Sequence, residues 1–237
     1  MKKTFFLWVI VIGFAVTGKA QKASLSEKQE MKSQVMNILN KTVFFDYDSG
    51  LEKNKYSEVY YFQLDNKGFI LSFTSSREFM SHAGGAEMSA FVFEKSGNEW
   101  KMAQKYLKFG SSGNGWGNPP EQDDLHVKQV NDGVLIAEQN SFSGQGYYTE
   151  SLSLYYLNNS IVKKVDGEII ISESNGGAVG EDDYQRIIEY EGSFSFTENT
   201  VNGLPVIQVY KSGVYKGKKI AETEYYAYNG KEYELAE

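Results

Sequence analysis

Val59–Leu71, VYYFQLDNKGFIL, decides the fold: an alternating aromatic and β-branched run, a polar turn at Asp65-Asn66-Lys67-Gly68, then a second apolar run. Alternation with period 2 puts successive side chains on opposite faces, so each run reads as a half-buried strand. Asn, Asp and Gly tolerate the positive φ of tight turns, and a connection this short forces the two strands antiparallel. The same pattern returns at 89–102 (SAFVFEKSGNEWKM), 152–165 (LSLYYLNNSIVKKV) and 224–235 (EYYAYNGKEYEL). Turn chemistry recurs at Ser96-Gly97-Asn98, Asn158-Asn159, Asp166-Gly167 and Asn229-Gly230.

Working outward, further runs at 134–137, 168–172, 186–190 and 206–210 read as strands, and the alternating pattern persists from about residue 46 to residue 237. Only Pro119, Pro120 and Pro205 are prolines, so few strands are barred from a sheet interior. The expected class is all-β: an antiparallel meander of repeated hairpins, closed like a propeller or layered as a large sandwich. The uneven spacing of the turns fits a fixed-period repeat poorly, and any half-buried hairpin carries the same pattern.

Towards the N-terminus the period changes to helical. Met31, Val35, Ile38, Leu39 and Thr42 share one stripe, and Ser24 with Glu27 has the spacing of a capping box. One amphipathic helix of about 24–41 follows, within an N-terminal segment 21–45, and its stripe has the width of a helix that covers a sheet.

Residues 1–20 read as a secretory signal: Lys2 and Lys3, an apolar stretch Phe5–Val16, then Gly18 and Ala20 at the −3 and −1 positions of a cut before Gln21. A dozen apolar residues are too few for a membrane-spanning helix of about 20, and no later run is as long. The expectation is an exported chain, periplasmic or extracellular, without a transmembrane span after cleavage.

The 237-residue chain has net charge −7, and loss of Lys2, Lys3 and Lys19 with the signal would take it to −10. An acidic chain repels phosphate backbones and anionic bilayers, which argues against nucleic acid as a partner. There is no cysteine, so disulfides, a thiolate nucleophile and Cys-ligated zinc are excluded. Two histidines, His82 and His126, cannot supply a three-His zinc site. Asp46-x-Asp48-x-Gly50 and the acids at 181–183 lack the spacing of a calcium loop and read as hydrated turns, so no metal and no cofactor is expected. Nucleophile-elbow, zincin and Walker motifs are missing as well.

What stands out are glycine-rich stretches carrying aromatic and amide side chains. These are 81–85 (SHAGG), 110–120 (GSSGNGWGNPP) and 143–148 (SGQGYY). Glycine exposes backbone and places a neighbouring ring at low steric cost, so His82, Trp116, Gln145 and Tyr147 are the candidate ligand-binding residues. The competing reading makes these stretches plain turns and irregular connections, with Trp116 folded over a sheet edge. His126 reads as a partly exposed strand residue. The function expected is an exported, non-catalytic β module that binds a glycan, peptide or protein at the bacterial envelope. The alternatives are a secreted glycan hydrolase using a carboxylate pair, and a structural envelope component.

Overall fold

A computed structural model describes residues 22–42, 55–76, 85–112, 118–131, 133–158, 161–179 and 183–236. Among these residues are one α-helix, α1 (Leu25–Leu39), two single 3₁₀ turns, Gln122–Asp124 and Tyr184–Arg186, and thirteen strands in two antiparallel sheets. Strands β1 (Lys55–Leu64), β2 (Lys67–Ser76), β3 (Glu87–Ser96) and β4 (Glu99–Ser111) form the first sheet in sequence order. The second begins with β5 (Leu125–Val130), β6 (Gly133–Gly144), β7 (Tyr147–Asn158), β8 (Val162–Lys164) and β9 (Ile170–Ser174). It continues with β10 (Ile188–Val201), β11 (Leu204–Tyr215), β12 (Lys218–Tyr228) and β13 (Tyr233–Leu235). Its order is β13-β12-β11-β10-β9-β7-β6-β5, with β8 also on β7. The all-β meander with one helix expected from the alternation is what the chain forms, layered rather than closed into a barrel.

Helix α1 starts where the capping box says it must. The Ser24 hydroxyl accepts from the Glu27 N–H at 3.3 Å, and the Glu27 carboxylate accepts from the Ser24 N–H at 2.6 Å. Met31, Val35 and Leu39 are fully buried against Ile70, Phe91, Phe93 and Trp100, on one face of the first sheet. The opposite face, with Phe69, Leu71, Phe73, Ala90 and Val92, packs on Leu125, Val134, Ile136, Tyr155 and Leu157 of the second sheet. Strand β6 is thereby covered twice. Val134 and Ile136 face the first sheet, while Leu135 and Ala137 enter another core with Leu152, Leu154, Ile171, Ile207, Val209, Tyr226, Tyr228 and Tyr233. The continuous apolar run Val134–Ala137 is the sequence signature of that double burial.

The second core exists because the larger sheet curls back on itself. His126 on β5 meets Phe194 on β10 edge to face at 4.7 Å, and the Lys128 ammonium donates to the Thr197 carbonyl at 3.1 Å. No backbone ladder joins β5 to β10 among the described residues.

Turn chemistry differs from the expectation at two places. Gln145-Gly146, expected as part of an irregular glycine-rich connection, is a two-residue hairpin turn with φ of 52° and 83°. Asn202-Gly203 (49°, 84°) and Lys216-Gly217 (50°, 73°) repeat it, the paired positive φ of a type I′ turn. Conversely, Asp166-Gly167 makes no hairpin. Strands β8 and β9 both pair with β7 and lie end to end along it, and 165–169 is the interruption between them. Gly167 is there for close approach, since a Cβ would lie 1.9 Å from the Tyr233 carbonyl oxygen.

Candidate functional site

A depression of about 630 Å³ lies where β9 parts from β10. The β9–β10 ladder holds only at Glu189↔Ser174 and Tyr190↔Glu173. Beyond it a side chain replaces the ladder: the Ser172 hydroxyl accepts from the Gly192 N–H at 3.3 Å and donates to the Glu150 carboxylate at 2.8 Å. A bulge in the β7–β9 register at Glu150/Ser151 accompanies the parting, as bulges do where a strand must change course. Gly192 is required at this spot. A Cβ on it would lie 2.5 Å from both the Ile171 and the Tyr210 carbonyl oxygens, one on either side.

The groove is lined by Tyr148, Glu150, Ser172, Glu173, Ser174, Glu189, Tyr190, Glu191, Gly192 and Ser212. That is four carboxylates, three hydroxyls of serine and two phenols, with no lysine, arginine or histidine. Tyr190 donates to Glu173 at 3.3 Å, and burial together with that carboxylate pushes its phenol well above the ordinary range. Burial, then Glu150, moves the Tyr148 phenol in the same direction. Both therefore remain neutral hydrogen-bond donors with apolar ring faces.

Glu173 and Tyr190 also border a second depression of about 410 Å³, lined further by Glu168, Lys211, Tyr215, Glu222, Glu224 and Tyr226. Lys211, 8% exposed, is neutralised by Glu224 at 2.8 Å and lies over the Tyr190 ring at 5.4 Å. Its charge is thus spent inside the protein. By strand alternation the side chains of Glu173 and Tyr190 face this second depression, on the opposite side of the sheet from Tyr148, Glu150, Ser172, Ser174, Glu189, Glu191 and Ser212, so the two depressions lie on opposite faces and share only β9, β10 and β11.

Of the residues expected from sequence, Gln145 and Tyr147 are described, and both are exposed at the tip of the β6–β7 hairpin. Tyr147 points to the face opposite Tyr148, by strand alternation, so its neighbour and not Tyr147 lines the groove. The tip is pinned: a Cβ on Gly146 would lie 2.3 Å from the Gly177 carbonyl carbon. His82 and Trp116 lie outside the described residues, as do Asp46, Asp48 and the acids Glu181 and Asp182. The chain that follows the His82 stretch and the chain that precedes the Trp116 stretch meet at one end of the first sheet, where Ser112 N–H donates to the Ala86 carbonyl at 2.8 Å. Buried Glu138 accepts from the Ser112 hydroxyl there at 2.8 Å. Gln145 is seven residues further along β6 than Glu138, about 24 Å at the strand rise. His126, expected as a partly exposed strand residue, lies on β5 and is exposed.

Sequence reasoning missed the groove because its members come from four strands far apart in the chain. The local trace is the Glu-Tyr-Glu at 189–191 and the Ser-Glu-Ser at 172–174, unremarkable in a chain of 31 acids. Among the described residues no group of three or more His, Asp or Glu is arranged to hold a metal ion, and no helix is long and apolar enough to cross a membrane. No family model matches the chain, and no match is found among curated proteins or solved structures, so its own residues carry the functional reading.

Proposed function

We propose that the chain is an exported, non-catalytic β module that binds a neutral or amine-bearing glycan at the bacterial envelope, in the groove between β7, β9 and β10. The observation that carries this reading is the lining itself: the Tyr148 phenol and three serines interleaved with the carboxylates of Glu150, Glu189 and Glu191, with no cation. Phenol faces stack on the C–H faces of sugars, and carboxylates and hydroxyls hydrogen-bond to sugar hydroxyls or ammonium groups. Three carboxylates in one groove repel uronates, sulfates and phosphates. Protein partners are anchored by aromatic or aliphatic groups in apolar pockets, which this lining does not offer. Export rests on the charged, apolar and small-residue order of Lys2 to Ala20. His82 and Trp116, which lie outside the described residues, belong to this proposal on the sequence alone.

Titrating isotopically labelled protein with glucosamine oligosaccharides, neutral oligosaccharides and oligouronates tests the reading. Amide shifts at Ser172, Ser174, Gly192 and Ser212 with the first two, and none with uronates, are expected. Shifts elsewhere only, or with uronates only, contradict it. The same three carboxylates favour a second reading, a glycan hydrolase working with a carboxylate pair. Release of new reducing ends that disappears in one Glu→Gln variant of the groove would establish the hydrolase and displace the binding module.

A further inference from the structure

Strand β12 has β11 along one side in unbroken register from Lys218 to Tyr226. On the other side β13 covers only Tyr226–Tyr228. The hydrogen bonds Asn229 N–H to Glu232 O (3.0 Å) and Ala236 N–H to Tyr225 O (2.6 Å) show that odd-numbered residues of β12 turn their backbone groups toward this outer side. By the pleat, Thr223, Ala221 and Lys219 do the same, and none of them has a backbone partner there among the described residues. This is an open edge, one strand long.

The side chains along it are self-complementary in charge. Reading Lys218, Lys219, Ile220, Ala221, Glu222, Thr223, Glu224, the sign changes from positive to negative about Ala221. We propose that a second copy of this chain pairs antiparallel along this edge, Ala221 opposite Ala221 about a two-fold axis. In that register all three outward-facing residues find partners, Lys219 with Thr223 and Ala221 with itself, for about six backbone hydrogen bonds. Lys218 then stands opposite Glu224 and Ile220 opposite Glu222 at the non-hydrogen-bonded positions, where side chains approach closest.

Other registers are worse. A shift of two residues one way sets Glu222 against Glu222; a shift the other way leaves Thr223 without a strand partner. A parallel pairing in register sets lysine against lysine and glutamate against glutamate. Lysine on an edge ordinarily blocks pairing by repulsion, but here Lys218 meets the Glu224 carboxylate and Lys219 the neutral Thr223. The pairing also joins the depressions lined by Ile220, Glu222 and Glu224 of both copies across the axis. It stands independently of what the groove binds.

Sedimentation of the purified protein over a concentration series is the test. A reversible dimer is expected, weakened by salt because Lys218, Lys219 and Glu222 along the edge are exposed. Lys218→Glu, at an exposed position, places like charges opposite each other twice and raises the dimer dissociation constant at least tenfold. Ala221→Pro removes an outward N–H without touching the β11 ladder and abolishes the dimer. Hydrogen exchange at Lys219, Ala221 and Thr223 slows with concentration in the parent and not in Lys218→Glu. A monomer at every concentration overturns the proposal, and so does a dimer that both substitutions leave intact.

Discussion

Gly192→Ala is the substitution that most sharply tests how the groove is built. The glycine lies between two strands that cannot both retreat. Its Cβ would lie 2.5 Å from the Ile171 carbonyl oxygen and 2.5 Å from that of Tyr210, against 3.4 Å for ordinary contact. Roughly 0.9 Å is missing on each side, and both obstacles are backbone, so relief toward one strand worsens the clash with the other. Overpacking costs 1–3 kcal/mol where side chains can adjust, and two rigid backbone acceptors put this change near the top, about 3 kcal/mol. In a chain of this size that is a fall in melting temperature of roughly 6–12 °C. Gly203→Ala is the comparison: its φ of 84° is unfavourable to alanine, but nothing lies within 4 Å of the added carbon, so its cost is only about 1–2 kcal/mol. Denaturant titration of the three proteins measures the differences. If Gly192→Ala unfolds within 0.5 kcal/mol of the parent, the strands flanking the groove are not fixed as described.

Strand β6 should report both cores: Leu135→Ala and Ile136→Ala, each fully buried and on opposite faces, are expected to cost about 2–5 kcal/mol apiece in the same denaturant assay. A surface-like loss below 1 kcal/mol at either position would remove one core from the account. Glu27 gives a pH dependence. The Ser24 backbone N–H, then the Ser24 hydroxyl and Lys95, lower its carboxyl from 4.5 to about 2. Its contribution to stability is therefore complete above about pH 4.5 and is lost as pH falls through about 2. Acid unfolding curves of the parent and of Glu27→Gln should differ above that window and converge below it; parallel curves throughout would show that the capping box carries no charge-dependent stability.

Much of the fold was legible because burial and alternation coincide. Ser24 and Glu27 marked the helix start, the run Val59–Leu64 showed the strand period, and Phe69–Phe73, buried on both faces, showed as a nearly continuous apolar run. The long extension of β10 through Gly192–Val201 was harder to read. Its exposed side is Ser, Thr, Glu and Asn, which in sequence resemble a loop, and only Phe194 and Phe196 betray the period. Glycine misled in both directions. Gln145-Gly146 looked like an open platform and is a tight turn, whereas Gly167 and Gly192 are set by close backbone approach from strands that no local window contains. The groove depends on the same non-local fact, the parting of β9 from β10, which is a matter of register between segments about 15 residues apart.

The most direct test of the groove as the ligand site compares affinities for a glucosamine oligosaccharide among three proteins: the parent, Glu191→Gln in the groove, and Glu99→Gln on the exposed turn of β3–β4. Loss of one charge-assisted hydrogen bond weakens binding by about tenfold. The account predicts that loss for Glu191→Gln and an unchanged affinity for Glu99→Gln. Equal affinities in all three proteins, or no binding by the parent, would contradict it.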